Sequence, residues 1–208
     1  MSAAHCFLGT SHSSWTFVYA GNIKYASDGT GSQYKPISRI ITHPYVPRPI
    51  LLIYCQTLFR AYNRESNQND IAIVKLRYGF EYTEYVRPVC LPEPGFEVRS
   101  GNGLISGFGR TQFGSTNFLQ FTTVPILSHE ECKSNAYFGS RYSPQTNICA
   151  GSKGRDTCYG DSGGPLVVNV NDRFVLLGVT SWGIECGAEG KPGLYAKVSS
   201  YIDWINQN

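Results

Sequence analysis

Ser162 lies in the run CYGDSGGPLVV (158–168), where the residue types around it suit one kind of chemistry. A serine hydroxyl attacks a carbonyl carbon only when a base takes its proton. The oxygen that gains charge in that attack needs backbone N–H groups converging on it. Glycines on both sides of a serine allow the tight turn that would push the hydroxyl outward and bring such N–H groups together. The same Asp-Ser-Gly-Gly stretch is also an ordinary turn signal, in which a serine has only a structural role. A nucleophilic reading therefore needs a base from elsewhere in the chain. The histidines are His5, His12, His43 and His129. His12 lies among serines, His43 precedes a proline and His129 stands at a helix start, so these three read as surface residues.

The elements that must position such a site are mostly strands. The 208 residues contain 22 Gly and 11 Pro among many short apolar runs, with 41% hydrophobic and 16% charged residues. This composition suits a globular chain with a real core. RFVLLGVTSW (173–182), NDIAIVKL (69–76) and GPLVVNV (164–170) are β-rich runs bounded by Gly, Asn and Asp. Two short helices are expected. Ser128 and Glu131 have capping-box spacing, starting a helix that carries Cys132. Val198, Ile202 and Ile205 fall on one helical face near the end, with Ser199 as the expected cap. The class read from the chain is all-β with a C-terminal helix.

A net charge of +3 with scattered basic residues gives no footprint for nucleic acid. Seven cysteines favour an oxidising compartment, no Cys/His cluster has zinc-ligand spacing, and the sequence contains no complete calcium loop of the EF-hand kind. One stretch stands apart. VPRPILLIYCQTLFRA (46–61) is too short in its apolar part to span a bilayer and reads as an inserted loop carrying a free Cys55, with a buried strand as the alternative.

The whole of CYGDSGGPLVV strongly resembles the active-site segment of the trypsin-like, chymotrypsin-fold serine proteases. SAAHC (2–6) is similar to that family's histidine segment, and NDIAIVKL to its aspartate segment. RPVCLP (87–92), ISGFGRT (105–111), NICAG (147–151), TSWGIECG (180–187) and KPGLYAKVSSYIDWI (191–205) also match in order. The resemblance runs from residue 2 to about residue 206, leaving only 46–61 outside it.

The resemblance implies two antiparallel Greek-key β-barrels and a closing C-terminal helix. Residues 1–95 would be an incomplete first barrel carrying His5 and Asp70, and 96–208 a second carrying Ser162. It implies Ser162 as nucleophile, His5 as general base and then acid, and Asp70 as the group that holds the histidine tautomer. The N–H groups of Gly160 and Ser162 would form the oxyanion hole. Asp156, six residues before Ser162, falls where the family places the base of its primary pocket. A carboxylate there pairs with Arg or Lys and leaves apolar side chains uncompensated. Gly183 and Gly193 match the pocket walls, and Ser181 and Trp182 the adjoining backbone groove.

Cys132 with Cys149 and Cys158 with Cys186 are the implied disulfides. A further bridge of the family is absent as a pair, with Gly103 and Val168 at its two positions. Cys6, Cys55 and Cys90 are left over, and Cys90 in such proteins often joins a propeptide or light chain. The function implied is a secreted serine endopeptidase acting on proteins or peptides after Arg or Lys, without metal or cofactor and open to protein protease inhibitors.

The family's catalytic domain begins well before its histidine, with an α-amine that pairs with the residue matching Asp161. The expectations drawn from this are sequence upstream of Met1, a segment 46–61 of intron or alternative-exon origin, and little activity from the 208 residues alone. The alternative reading is a non-catalytic homologue that binds a partner through the same groove, and a complete Ser162, His5 and Asp70 set counts against it.

Overall fold

In a computed structural model, residues 1–7, 16–25, 29–44 and 68–208 are described. The 46–61 stretch, Cys55 and His12 lie outside these residues. The order of elements is a 3-10 turn at Ala4–Phe7, β1 (Phe17–Ala20), β2 (Gln33–Thr42), β3 (Ala72–Leu76), β4 (Gly101–Gly107), β5 (Gln120–Ile126), α1 (His129–Ser134) and β6 (Asn147–Ala150). Then follow β7 (Pro165–Val170), β8 (Arg173–Trp182), β9 (Gly193–Lys197), a 3-10 turn at Val198–Ser200 and α2 (Ile202–Gln207). β1, β2 and β3 form one antiparallel sheet. The other six strands close into a barrel in the order β4-β5-β6-β9-β8-β7. The mostly-β architecture with a terminal helix is the expected one.

The barrel closes around Ile105, Val124, Ile126, Ile148, Leu166, Val168, Leu177 and Tyr195. A second cluster covers its outside, where Leu176, Val179, Ala196 and Val198 meet Tyr201, Ile202 and also Ala3 and Ile71. Strands packed on both faces need apolar residues throughout instead of alternation. In β9 all five residues are buried, the charged one, Lys197, with its Nζ on Glu97. The second cluster also positions the site. Ala3 and Ile71 flank His5 and Asp70, and packing both on the barrel fixes the two side chains against it. A two-way backbone pairing reinforces this, with Ser2 N–H donating to Ala72 O (2.9 Å) and Ala72 N–H to Ser2 O (2.7 Å).

Helix α1 starts as its capping box requires, with Ser128 accepting from the Glu131 N–H and Glu131 reaching back to Ser128. Cys132 bonds to Cys149 and Cys158 to Cys186. Each closes a loop worth about 3 kcal/mol in the chain-entropy account. The β4–β7 register sets Leu104 opposite Val167, so Gly103 comes opposite Val168. Cys6 and Cys90 are free and exposed.

Three expectations need correction. Ser199 does not cap the last helix. It sits buried in the Val198–Ser200 turn with no partner for its hydroxyl among the described residues, and α2 starts after Tyr201 without a side-chain cap. His43 is not a surface residue. Its ring lies 4.9 Å from both Tyr201 and Trp204, and burial pulls its pKa below the usual histidine range. His129 is likewise engaged, with Nδ1 2.5 Å from the Tyr142 hydroxyl and Nε2 2.7 Å from Glu97 Oε1.

Glu97 also accepts from Lys197 Nζ at 3.0 Å and from Arg99 Nε at 3.3 Å. Its bonds to His129 and then Lys197 push its carboxyl down to about 2. A depressed carboxyl adds stability that is complete above the unfolded value of about 4.5 and is lost as pH falls towards 2. Glu97→Gln is therefore expected to destabilise the protein by about 1–2 kcal/mol at pH 7, less than the full shift because solvent reaches the group. Thermal unfolding of both proteins should show the gap closing between pH 4.5 and about 2.

Candidate functional site

Asp70 is 1% exposed and holds three donors. The His5 backbone N–H donates to Oδ1 at 2.8 Å, His5 Nδ1 lies 2.7 Å from Oδ2, and Ser181 Oγ donates to Oδ2 at 2.5 Å. A buried carboxylate needs such compensation. Its effect on the imidazole is direct: Nδ1 carries the proton, Nε2 is left as the basic atom, and the pKa rises above the ordinary histidine value. Asp70 is the main cause, with the Cys6 contact second.

Local backbone explains how Asp70 and Ser181 point inward. Asn69 takes a left-handed conformation (φ 58°), which Asn tolerates, and its Oδ1 accepts from the Tyr201 hydroxyl at 3.1 Å. On β8 the pairing with β9 slips by one residue between Thr180 and Trp182. A slip of this kind re-aims a side chain, and here Ser181 leaves the ladder for Asp70. The family resemblance puts Ser181 only beside the groove. Nothing local reveals its bond to Asp70, 111 residues away.

Ser162 is exposed at the expected turn. Gly160 (φ 98°) and Gly163 (φ 80°) hold left-handed backbone that a side chain would strain. A side chain on Gly163 would strike Ser2, so the serine turn rests against the histidine segment. Among the described residues, no hydrogen bond joins Ser162 to His5. The His5 Nε2 atom lies 3.7 Å from Cys6 Sγ.

Asp161 turns away from Ser162. Its Oδ1 accepts from the Gly109 N–H at 2.8 Å and its Oδ2 from the Cys158 N–H at 2.9 Å. Gly107 and Gly109 leave the space this carboxylate occupies, since a Cβ on either would collide with it. These glycines were visible in ISGFGRT, but the partner 52 residues away was not. Asp161 borders a cleft of about 970 Å³, walled by Gly107, Arg110, Phe121 and Tyr159.

Asp156 accepts from the Thr157 N–H at 2.8 Å and the Gly187 N–H at 3.2 Å. A Cβ on Gly193 would stand 2.7 Å from its Oδ1, and Gly183 in turn lies close to Gly193. Asp156 and the two glycines thus occupy one place. Burial raises the Asp156 carboxyl to about 6, against the pull of its backbone donors. Trp182 stands beside this place, packed edge-on against Phe138 at 5.8 Å.

A sequence model of the Trypsin family matches residues 1–205. The chain belongs to the trypsin family. Phenoloxidase-activating factor 1 of Holotrichia diomphalia is 43% identical to it over 144 residues, covering 67% of this chain and 40% of that relative. The chain thus spans less than half the length of the curated relative it matches. Among its described residues, no helix is long and apolar enough to cross a membrane.

Proposed function

We propose that this trypsin-family domain is a serine endopeptidase that hydrolyses peptide bonds after Arg or Lys through an acyl-enzyme. The observation that carries this reading is the His5 imidazole held by a carboxylate buried to 1% exposure. That arrangement leaves Nε2 able to take a proton.

In this mechanism Ser162 Oγ attacks the substrate carbonyl carbon while His5 Nε2 takes its proton. The N–H groups of Gly160 and Ser162 hold the oxyanion. The C–N bond then breaks as His5 returns the proton to the leaving amine, and the acyl group stays on Ser162. Water repeats the sequence with His5 as base and frees the acid. Asp70 stabilises the imidazolium in both halves. The Ser162–His5 bond forms as substrate enters, because catalytic hydrogen bonds tighten in the substrate complex.

Asp156 supplies the preference. A carboxylate raised to about 6 by burial is short of positive charge, and a substrate Arg or Lys brings it. In the same reading Asp161 receives an α-amine freed by cleavage, which would enter the cleft it borders and order the serine turn. The setting is extracellular, where the disulfides are kept, and Cys90 is exposed where an upstream chain could join it. The name of the Holotrichia diomphalia relative suits limited cleavage that activates another protein, and we extend that role to this domain.

Peptide amides differing only in the residue before the cut test the reading. With the mature protein, Arg and Lys peptides are expected to be cut at least 100-fold faster than Phe, Leu or Glu peptides. Equal cutting after Phe would remove the assigned role of Asp156, and no cutting at all would favour the binding-module alternative.

A further inference from the structure

We propose that Arg141 selects substrates carrying an acidic residue two or three positions before the Arg or Lys at the cut. The inference deepens the endopeptidase reading and rests on it. Trp182 follows Ser181, which binds Asp70, and precedes Gly183 beside the Asp156 pocket. A substrate chain laid along 181–183 passes this indole. An extended chain rises about 3.3 Å per residue, so its second and third residues upstream reach the wall beyond Trp182.

That wall is the segment 135–141, and it is anchored along its length. Asn135 Nδ2 donates to Gly190 O at 2.8 Å. Phe138 is buried with Cys132, Tyr142, Cys149 and Leu194. The Arg141 N–H donates to Phe138 O at 3.0 Å. From this support the Arg141 guanidinium reaches over the Trp182 ring, 5.1 Å from its centroid. A cation over an indole is held by the ring's charge distribution, and a guanidinium has enough N–H donors to take a carboxylate as well.

Two lysines near this wall already have acids. Lys191 pairs with Glu185 at 2.7 Å, and Lys153 with Glu189 at 3.1 Å. Among the described residues, Arg141 has no carboxylate within ion-pair distance, although it is exposed beside the groove. A substrate acid would supply one, with two parallel N–H···O bonds. The groove along 181–183 then reads two charges of opposite sign in order: an acid against Arg141, and a base against Asp156.

The test compares peptide amides ending in Arg that carry Glu, Ala or Lys at each of the three preceding positions, using the mature protein. Wild type is expected to show a kcat/KM ratio of about tenfold for Glu over Lys at the second or third position, falling in high salt as an exposed pair must. Arg141→Gln should bring that ratio close to one, and Arg141→Glu should invert it. Equal rates for Glu and Lys in wild type overturn the inference, as does a ratio that Arg141→Glu leaves unchanged. If the variants do not fold, the wild-type ratio and its salt dependence decide. Failure to cut any Arg peptide overturns the endopeptidase reading and this inference with it; cutting without a Glu preference overturns the inference alone.

Discussion

Asp70→Asn is expected to lower kcat about 10⁴-fold at neutral pH while the protein stays folded. The three bonds to Asp70 explain the size. The amide oxygen can still accept the His5 backbone N–H where Oδ1 does now. The NH₂ group then replaces Oδ2, facing His5 Nδ1 and the Ser181 hydroxyl. An NH₂ donates, so Nδ1 must become the acceptor and the ring proton moves to Nε2. The atom that should take the Ser162 proton then already carries one. Flipping the amide only moves the conflict, setting NH₂ against the His5 backbone N–H. Since the amide is close in size to the carboxylate, the packing of Ile71 and Ala3 is retained. Kinetics of an Arg peptide amide, with thermal unfolding of the same sample, would separate lost chemistry from lost fold. A variant that kept a tenth of wild-type kcat would contradict the proposed role.

Asp156→Ser should produce two effects of opposite sign. Cutting after Arg and Lys is expected to fall about 10³-fold, because the substrate cation would be buried without its partner. The fold, however, should gain stability. With its folded pKa raised to about 6 from an ordinary 3.8, the carboxyl favours the folded state while protonated. That benefit is complete below about 3.8 and is lost as pH rises through 6, so at pH 7 the ionised group is a net cost. Removing it should add about 1–2 kcal/mol at pH 7, reduced from the full shift because solvent reaches the pocket. Melting curves at pH 7 and pH 4 would show the gain at the higher pH only.

Features encoded by neighbouring residues were readable from the chain. RFVLLGVTSW coincides with β8 because β-branched and apolar residues run unbroken between turn residues. Ser128 and Glu131 mark the start of α1 because a capping box needs only four consecutive positions. The unread features depend on residues far apart. His43 reads as a loop histidine before proline, and only the fold brings Tyr201 and Trp204 against it. Ser199 has the composition of a cap, but a 3-10 turn precedes α2 and buries it. The Asp161 cradle joins a glycine pair to a turn 52 residues on, and Arg141 reaches Trp182 from a separate segment.

An active-site titration with the nitrophenyl ester of guanidinobenzoic acid bears most directly on the central claim, because it needs both the nucleophile and the pocket. The mature protein should release one nitrophenol per chain in a burst, and peptide mass mapping should place the guanidinobenzoyl group on Ser162. The uncharged benzoate ester should react far more slowly. No burst, a label on another residue, or equal reaction with the uncharged ester would contradict a Ser162 acyl-enzyme guided by Asp156.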